Sequence, residues 1–165
     1  MSEYSIGVDL GGTNLRAAAI DAQGKMLDKI AGSTDLQAGR DVVIADMVQS
    51  IEAIRARLGE HNLRGVGIGL PGFILIDKGI ILGSNNMPEF DNYPVRDEIE
   101  KRLGAKVILE NDANAAALGE KWMGAGRDVD EQGARRGAAR ALRSPHLAGD
   151  RRARGLDPLG RHACA

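Results

Sequence analysis

A chain of 165 residues with 43% hydrophobic residues, 3% aromatics and a net charge of −1 has room for one domain whose core must be aliphatic. Its single cysteine, Cys164, excludes a disulfide framework or a cysteine zinc cluster within the chain. The opening MSEYSIGVDLGG lacks the charged start and long apolar run of a signal peptide, and no apolar run approaches the ~18 residues of a membrane span, so a soluble cytoplasmic protein with no membrane partner is expected.

Tyr4–Asp9 (YSIGVD) is short, apolar and partly β-branched, and reads as a strand broken by Gly11-Gly12. Asn14–Asp21 reads as a weaker strand, because alanine is a poor strand former. Met26–Thr34 is a third strand, and the short connections suggest an antiparallel meander. From Arg40 to Gly59 the period changes: Ile44, Met47, Val48, Ile51, Ile54 and Leu58 share one helical face, and Gly59 ends the run. Leu63–Leu70 is a buried strand, and FILIDKGIIL a hairpin turning at Asp77-Lys78-Gly79. Pro94–Leu103 has its proline first, its acids next and Lys101-Arg102 late, the order that suits a helix and its dipole. Lys106–Glu110 is a further strand and Ala113–Met123 a further helix. The order βββαβαβα, with a hairpin inserted before the second helix, implies an α/β fold with a mixed sheet.

Four segments could carry chemistry. In Asp9-Leu-Gly-Gly-Thr-Asn-Leu-Arg16, Gly11 and Gly12 allow a tight turn with positive φ and close backbone approach. Thr13, Asn14 and Arg16 add donors and a positive charge. Turn N–H groups with an arginine make a cradle for phosphate, and Asp9 could hold Mg²⁺ directly or through water. A plain Gly-Gly hairpin turn is the bland alternative. Gly67-Ile-Gly-Leu-Pro-Gly72 matches GxGxxG, yet Pro71 and the strand-like FILI follow where a dinucleotide site needs a helix, so it reads as a ligand wall at the sheet's carboxyl edge. Ser84-Asn85-Asn86 offers neighbouring amides for a polyhydroxylated ligand, or an ordinary asparagine turn. Leu109-Glu-Asn-Asp-Ala-Asn-Ala delivers Asn111 and Asp112 to a strand end where a helix begins. Asp112 there could cap the helix, or take a proton from a substrate hydroxyl during phosphoryl transfer. His61, His146 and His162 have no partners at ligand spacing and read as surface residues.

Together DLGGTNLR, GIGLPG, GSNNMPEF and LENDANAAALGE resemble, in order and spacing, the ROK family of sugar kinases, in particular its bacterial glucokinases. The resemblance covers about residues 4–127. It implies one lobe of an actin-like (ribonuclease H-like) ATPase fold. It also implies transfer of the γ-phosphoryl group of ATP, or in some members of polyphosphate, to a hexose hydroxyl with Mg²⁺. By motif, Asp9, Gly11, Gly12, Thr13, Asn14 and Arg16 would handle phosphate, with Asp9 at the metal. Asn86, Asn111 and Asp112 would bind the sugar, glucose foremost, and Asp112 would be the general base. A non-catalytic sugar-binding fragment or a ROK-type transcriptional regulator is the alternative. The regulators usually carry an N-terminal helix-turn-helix, whereas here the first strand opens four residues into the chain.

The sequence also departs from the family. No second glycine-rich phosphate loop, adenosine pocket or His/Cys zinc site is recognisable, and Phe90 stands where many members have tryptophan. Residues 1–130 carry 14 Lys and Arg against 20 Asp and Glu, whereas residues 131–165 carry eight Arg against three acids and have no Ile, Val, Phe, Tyr, Trp or Met. Residues 1–130 are therefore expected to form the N-terminal lobe. Residues 131–165 read as a disordered basic tail, as a short Ala/Arg helix over 133–143, or as GC-rich DNA translated out of frame, the last being favoured. Nucleic-acid binding is not expected, since the arginines lack aromatic stacking partners. A lobe without its second half would leave an apolar face open to self-association or aggregation.

Overall fold

The computed structural model describes residues 3–127. The expectations for the tail, including a helix over 133–143, lie outside the described residues. Strands β1 (Tyr4–Leu10), β2 (Asn14–Asp21) and β3 (Met26–Ser33) form the expected antiparallel meander, with Asp9 opposite Arg16 and Leu10 opposite Leu15. Helix α1 (Arg40–Leu58) then crosses to β4 (Leu63–Leu70), which pairs parallel to β1. A small hairpin, β5 (Phe73–Leu75) and β6 (Ile80–Gly83), and helix α2 (Val95–Leu103) precede β7 (Val107–Asn111), parallel to β4. Helix α3 (Asp112–Met123) closes the described chain. The main sheet has the order β3-β2-β1-β4-β7, mixed as the element order implied.

The strands alternate between two faces, and only one is closely packed, by α1 and α2. Ile6, Val8 and Leu10 of β1, Leu15, Ala17 and Ala19 of β2, Val66, Ile68 and Leu70 of β4, and Val107 and Leu109 of β7 are all buried. Against them α1 lays Val43, Ile44, Met47, Ile51 and Ile54, and α2 lays Val95, Ile99 and Leu103. This is the predicted stripe of α1 with Val43 added, while Val48 and Leu58 pack at its partly buried margin. Two of the alanines that weakened β2 as a prediction, Ala17 and Ala19, are enclosed at 2% and 0% exposure, because small side chains suit the sheet surface beneath α1. Burial in the tertiary structure overrides their poor strand propensity.

The element ends follow local chemistry. Gly59, at φ +88°, stops α1 and donates its N–H to the Arg55 carbonyl at 2.8 Å. The Gly59 carbonyl accepts from the Tyr4 hydroxyl at 2.9 Å, pinning the helix end to the first residue of the sheet. Burial pushes the Tyr4 phenol above its usual pKa, with Arg55 opposing the shift. The hairpin turns where expected, through a 3₁₀ turn over Ile76–Lys78 closed by left-handed Gly79. Among the described residues no helix is long and apolar enough to cross a membrane.

Candidate active site

All four candidate segments meet the carboxyl edge of the parallel strands β1, β4 and β7. That edge is where open α/β sheets place their ligands. Pairing registers put Arg16 beside Asp9, Asp9 beside Gly69, and Gly69 beside Glu110. A row of side chains thus runs across four strands on the sheet's uncovered face, interrupted by a glycine. A Cβ at Gly69 would lie 3.4 Å from the Asp112 Cα and 3.7 Å from the Ala115 Cβ, so this glycine lets the first turn of α3 settle against β4.

The β1–β2 turn is open. The Gly11 N–H donates to the Asn14 carbonyl at 2.8 Å, the Thr34 N–H donates to the Thr13 carbonyl at 3.1 Å, and the Asn14 amide donates to Thr13 Oγ1 at 3.2 Å. Among the described residues the N–H groups of Gly12 and Thr13 have no acceptor. The Asp9 and Arg16 side chains, 58% and 66% exposed, stand 3.7 Å apart, near enough to share a phosphate or its metal but not locked together. One expectation needs correction: neither Gly11 nor Gly12 has a positive φ. A Cβ at Gly12 would meet nothing within 4 Å, and one at Gly11 would make only an ordinary contact, 3.5 Å from the Asn14 oxygen. The turn conformation therefore does not require the glycines. What they supply is a low, bare backbone that an outside group can approach closely.

On the other side of the edge, Asn85 and Asn86 line a cleft of about 330 Å³ with Pro71, Gly72, Phe73, Gly83, Ser84 and Asp91. Its volume lies at the lower end of the ~300–1,000 Å³ that small-molecule sites occupy. GIGLPG is followed by β5 rather than by a helix, so the segment is a cleft wall and not a dinucleotide loop. Beneath the asparagines, Met87 and Phe90 are buried at 1% exposure, and Phe90 meets Tyr93 edge-on at 6.4 Å. Phe90 is thus a packing residue that holds the loop from below. Arg40 fixes the same loop to the start of α1. Its N–H and guanidinium donate to the Glu89 side chain and carbonyl, and its guanidinium lies 3.9 Å from the centre of the Tyr93 ring.

Asn111 and Asp112 sit where β7 becomes α3. The helix begins one residue earlier than expected, and its cap is Asn111 rather than Asp112: Asn111 Oδ1 accepts from the Ala113 and Asn114 N–H groups at 3.1 and 3.2 Å. The capping role weighed for Asp112 therefore belongs to its neighbour. Asp112 is the first residue of the helix, half-buried, and its Oδ1 also accepts from the Ala113 N–H at 2.9 Å. Asn111 Nδ2 donates to the Gly72 carbonyl at 3.0 Å, joining this junction to the asparagine cleft. Glu110 Oε1 accepts from the Asn111 N–H and the Asn114 amide at 2.9 and 3.1 Å.

Three contributors escaped the motif reading as individuals. Gly72 and Glu110 lay within quoted motifs without roles of their own, and Asp91, whose Oδ1 accepts from the Ser84 N–H at 3.2 Å, had no local signal. His61 is exposed, as expected, and His146 and His162 lie outside the described residues.

Comparison with known proteins agrees with this geometry. The sequence model of the ROK family matches residues 5–132. A glucokinase from Thermotoga maritima is 46% identical over 125 residues, which are 76% of this chain and 38% of that protein. Among solved structures, a ROK family glucokinase from Streptomyces griseus in complex with glucose and AMPPNP matches with a TM-score of 0.63 at 36% identity, over 77% of this chain and 39% of the other. A ROK family transcriptional regulator, a homolog of the E. coli MLC protein, shares the fold with a TM-score of 0.63 at 24% identity, over 74% of this chain and 31% of the other. The chain thus spans well under half the length of the curated glucokinase that it matches.

Proposed function

The chain belongs to the ROK family, and from that premise we propose that residues 1–130 are the N-terminal, sugar-holding lobe of a cytoplasmic, actin-like hexose kinase, with glucose as the first candidate substrate. One observation carries the reading: the amide cleft around Asn86, the Asn111–Asp112 junction and the bare Gly11–Gly12 turn all open at one sheet edge. A phosphoryl acceptor and a phosphate chain must meet in such a place.

The residues fit the groups that the reaction needs. The free N–H groups of Gly12 and Thr13, with Thr13 and Asn14 side chains and the Arg16 guanidinium, suit phosphate oxygens. The exposed carboxylate of Asp9 suits Mg²⁺, bound directly or through water. ATP, or polyphosphate in its place, would supply the transferable phosphoryl group. Asn86, whose amide can both donate and accept, would orient the hexose through its hydroxyls together with Asn111 and Asp112. Asp112 would accept the proton of the attacking hydroxyl at its carboxylate as that oxygen bonds to phosphorus and the bond to the donor's bridging oxygen breaks, releasing the shortened phosphate chain. Little covalent chemistry is asked of the protein beyond positioning and charge stabilisation.

A sugar-binding fragment or regulator would keep the amides without needing Asp112, so the placement of this carboxylate at the end of β7 favours the kinase. Residues 131–165 are read as no part of this design. Without a recognisable adenosine pocket, phosphorylation by this chain alone is expected near background. The open sheet face would favour self-association.

Calorimetry on the purified chain tests the proposal. Glucose is expected to bind saturably without ATP, and Asp112→Asn to weaken binding about tenfold to a hundredfold, the worth of roughly one hydrogen bond to a charged group. Failure of any hexose to bind would remove the sugar-site reading. Robust ATP-dependent hexose phosphorylation by this chain would instead overturn the near-background expectation.

A further inference from the structure

The Asn111 side chain is largely committed to the scaffold. Its oxygen accepts two helix N–H groups and one of its two amide hydrogens goes to the Gly72 carbonyl. A single N–H is left for a ligand. Gly72, for its part, lies at φ +134°, a conformation that side chains of L-residues rarely adopt. A Cβ there would stand 2.7 Å from the Gly83 carbonyl oxygen and 3.0 Å from the Ser84 Cβ. Three segments therefore converge on one α-carbon: the loop after β4, the end of β6 and, through Asn111, the start of α3. Ser84 opens the loop that carries Asn86, and Asp91 holds its N–H from the far side.

We infer that Gly72 is a positioning residue of the sugar site. Its carbonyl holds the Asn111 side chain, and its bare α-carbon admits Gly83 and Ser84. It thereby sets the separation between the Asn86 amide and the Asp112 carboxylate. The inference rests on the sugar-site reading above and deepens it. It also gives Asn111 a second role: beyond its one spare N–H, this residue acts on the sugar through Gly72. A glycine that served only the turn would support folding but would leave hexose affinity in the folded protein unchanged.

The test uses the 165-residue chain with Gly72→Ala and Asn111→Asp, singly and together. Asn111→Asp keeps an oxygen for the two helix N–H groups and removes the donor to Gly72. Glucose affinity is measured by calorimetry, and the backbone amides of Ser84, Asn85 and Asn86 by NMR without sugar. Each single variant is expected to weaken glucose binding about fivefold to tenfold, as one or two misdirected hydrogen bonds would. The double variant should lose little more than either alone. In Asn111→Asp the Ser84–Asn86 signals should move although Asn111 makes no hydrogen bond to that loop, and this readout stands even if Gly72→Ala does not fold. Unmoved loop signals, or full additivity of the two losses, would overturn the positioning role. Glucose binding that fails in the unaltered chain would overturn the sugar-site reading and the inference with it, whereas binding unaffected by both substitutions would overturn the inference and the Asn111 contact with the sugar, leaving Asn86 and Asp112 to hold it.

Discussion

The two faces of the main sheet are made of alternate residues on the same strands, yet they are built to different ends. On the covered face, Ile6, Val8, Leu15, Ile68 and Leu109 meet α1 and α2, and each is no more than 4% exposed. On the other face, the same strands carry Gly7, Asp9, Arg16, Ala18, Gly67, Gly69 and Ile108. These residues border a groove of about 700 Å³, and Ile108 is 68% exposed. A Cβ at Gly7 or Gly67 would meet nothing within 4 Å. Side-chain volume has been concentrated where packing stabilises the lobe and withheld where something else must come close. The candidate active site lies where the charged end of the open face reaches the carboxyl edge.

The sharpest break of this comparison sets two isoleucines against each other. Ile51→Ala, in α1 at 0% exposure, is expected to cost about 2–5 kcal/mol in denaturant unfolding. Ile108→Ala, one residue from buried Leu109, should stay within about 0.5 kcal/mol in the dilute, unassociated chain. Comparable losses at both would mean that the open face is covered in solution.

The second test asks whether the chain covers that face with itself. Sedimentation velocity at rising concentration is expected to show association, and Ile108→Lys to lower it by about a kcal/mol or more, in keeping with burial of one large aliphatic side chain. A monomer at every concentration would end the self-association proposal.

The smallest effect concerns the rim. The Arg57 guanidinium, 2.6 Å from Asp28, holds this carboxyl below its ordinary pKa. A pKa depressed in the folded state gives stability that is present above the unfolded value and lost as pH falls through the folded one. Asp28→Asn should therefore cost less than about 1 kcal/mol at neutral pH, as an exposed pair does, and nothing near pH 2. An undiminished difference in acid would assign the loss to packing rather than charge.

Much of this was legible in the sequence because it is periodic. Short apolar runs marked β1 and β4, the Ile44–Ile54 stripe marked α1, and Gly59 marked its end. The site was legible as residue types at strand ends, but not as contacts. The Gly72–Asn111 hydrogen bond spans 39 residues, and the Arg16–Asp9–Gly69–Glu110 row exists only once the strand registers are set. The choice of cap at α3 was missed because Asn and Asp are both good caps and adjacent, and only the backbone of Asn111, extended at φ −63° and ψ 139°, decides between them. Of the two reasons read for the glycines of the β1–β2 turn, positive φ fails, whereas a bare backbone open to close approach remains.

The central claim is that this lobe holds a hexose between its amide cleft and the start of α3. Titrating the isotopically labelled chain with glucose, and following backbone amides by NMR, tests it directly. The account predicts saturable shifts gathered at Gly72, Asn85, Asn86, Asn111 and Asp112, with the buried α1 face silent. Shifts that never saturate, or that gather away from the carboxyl edge, would contradict it.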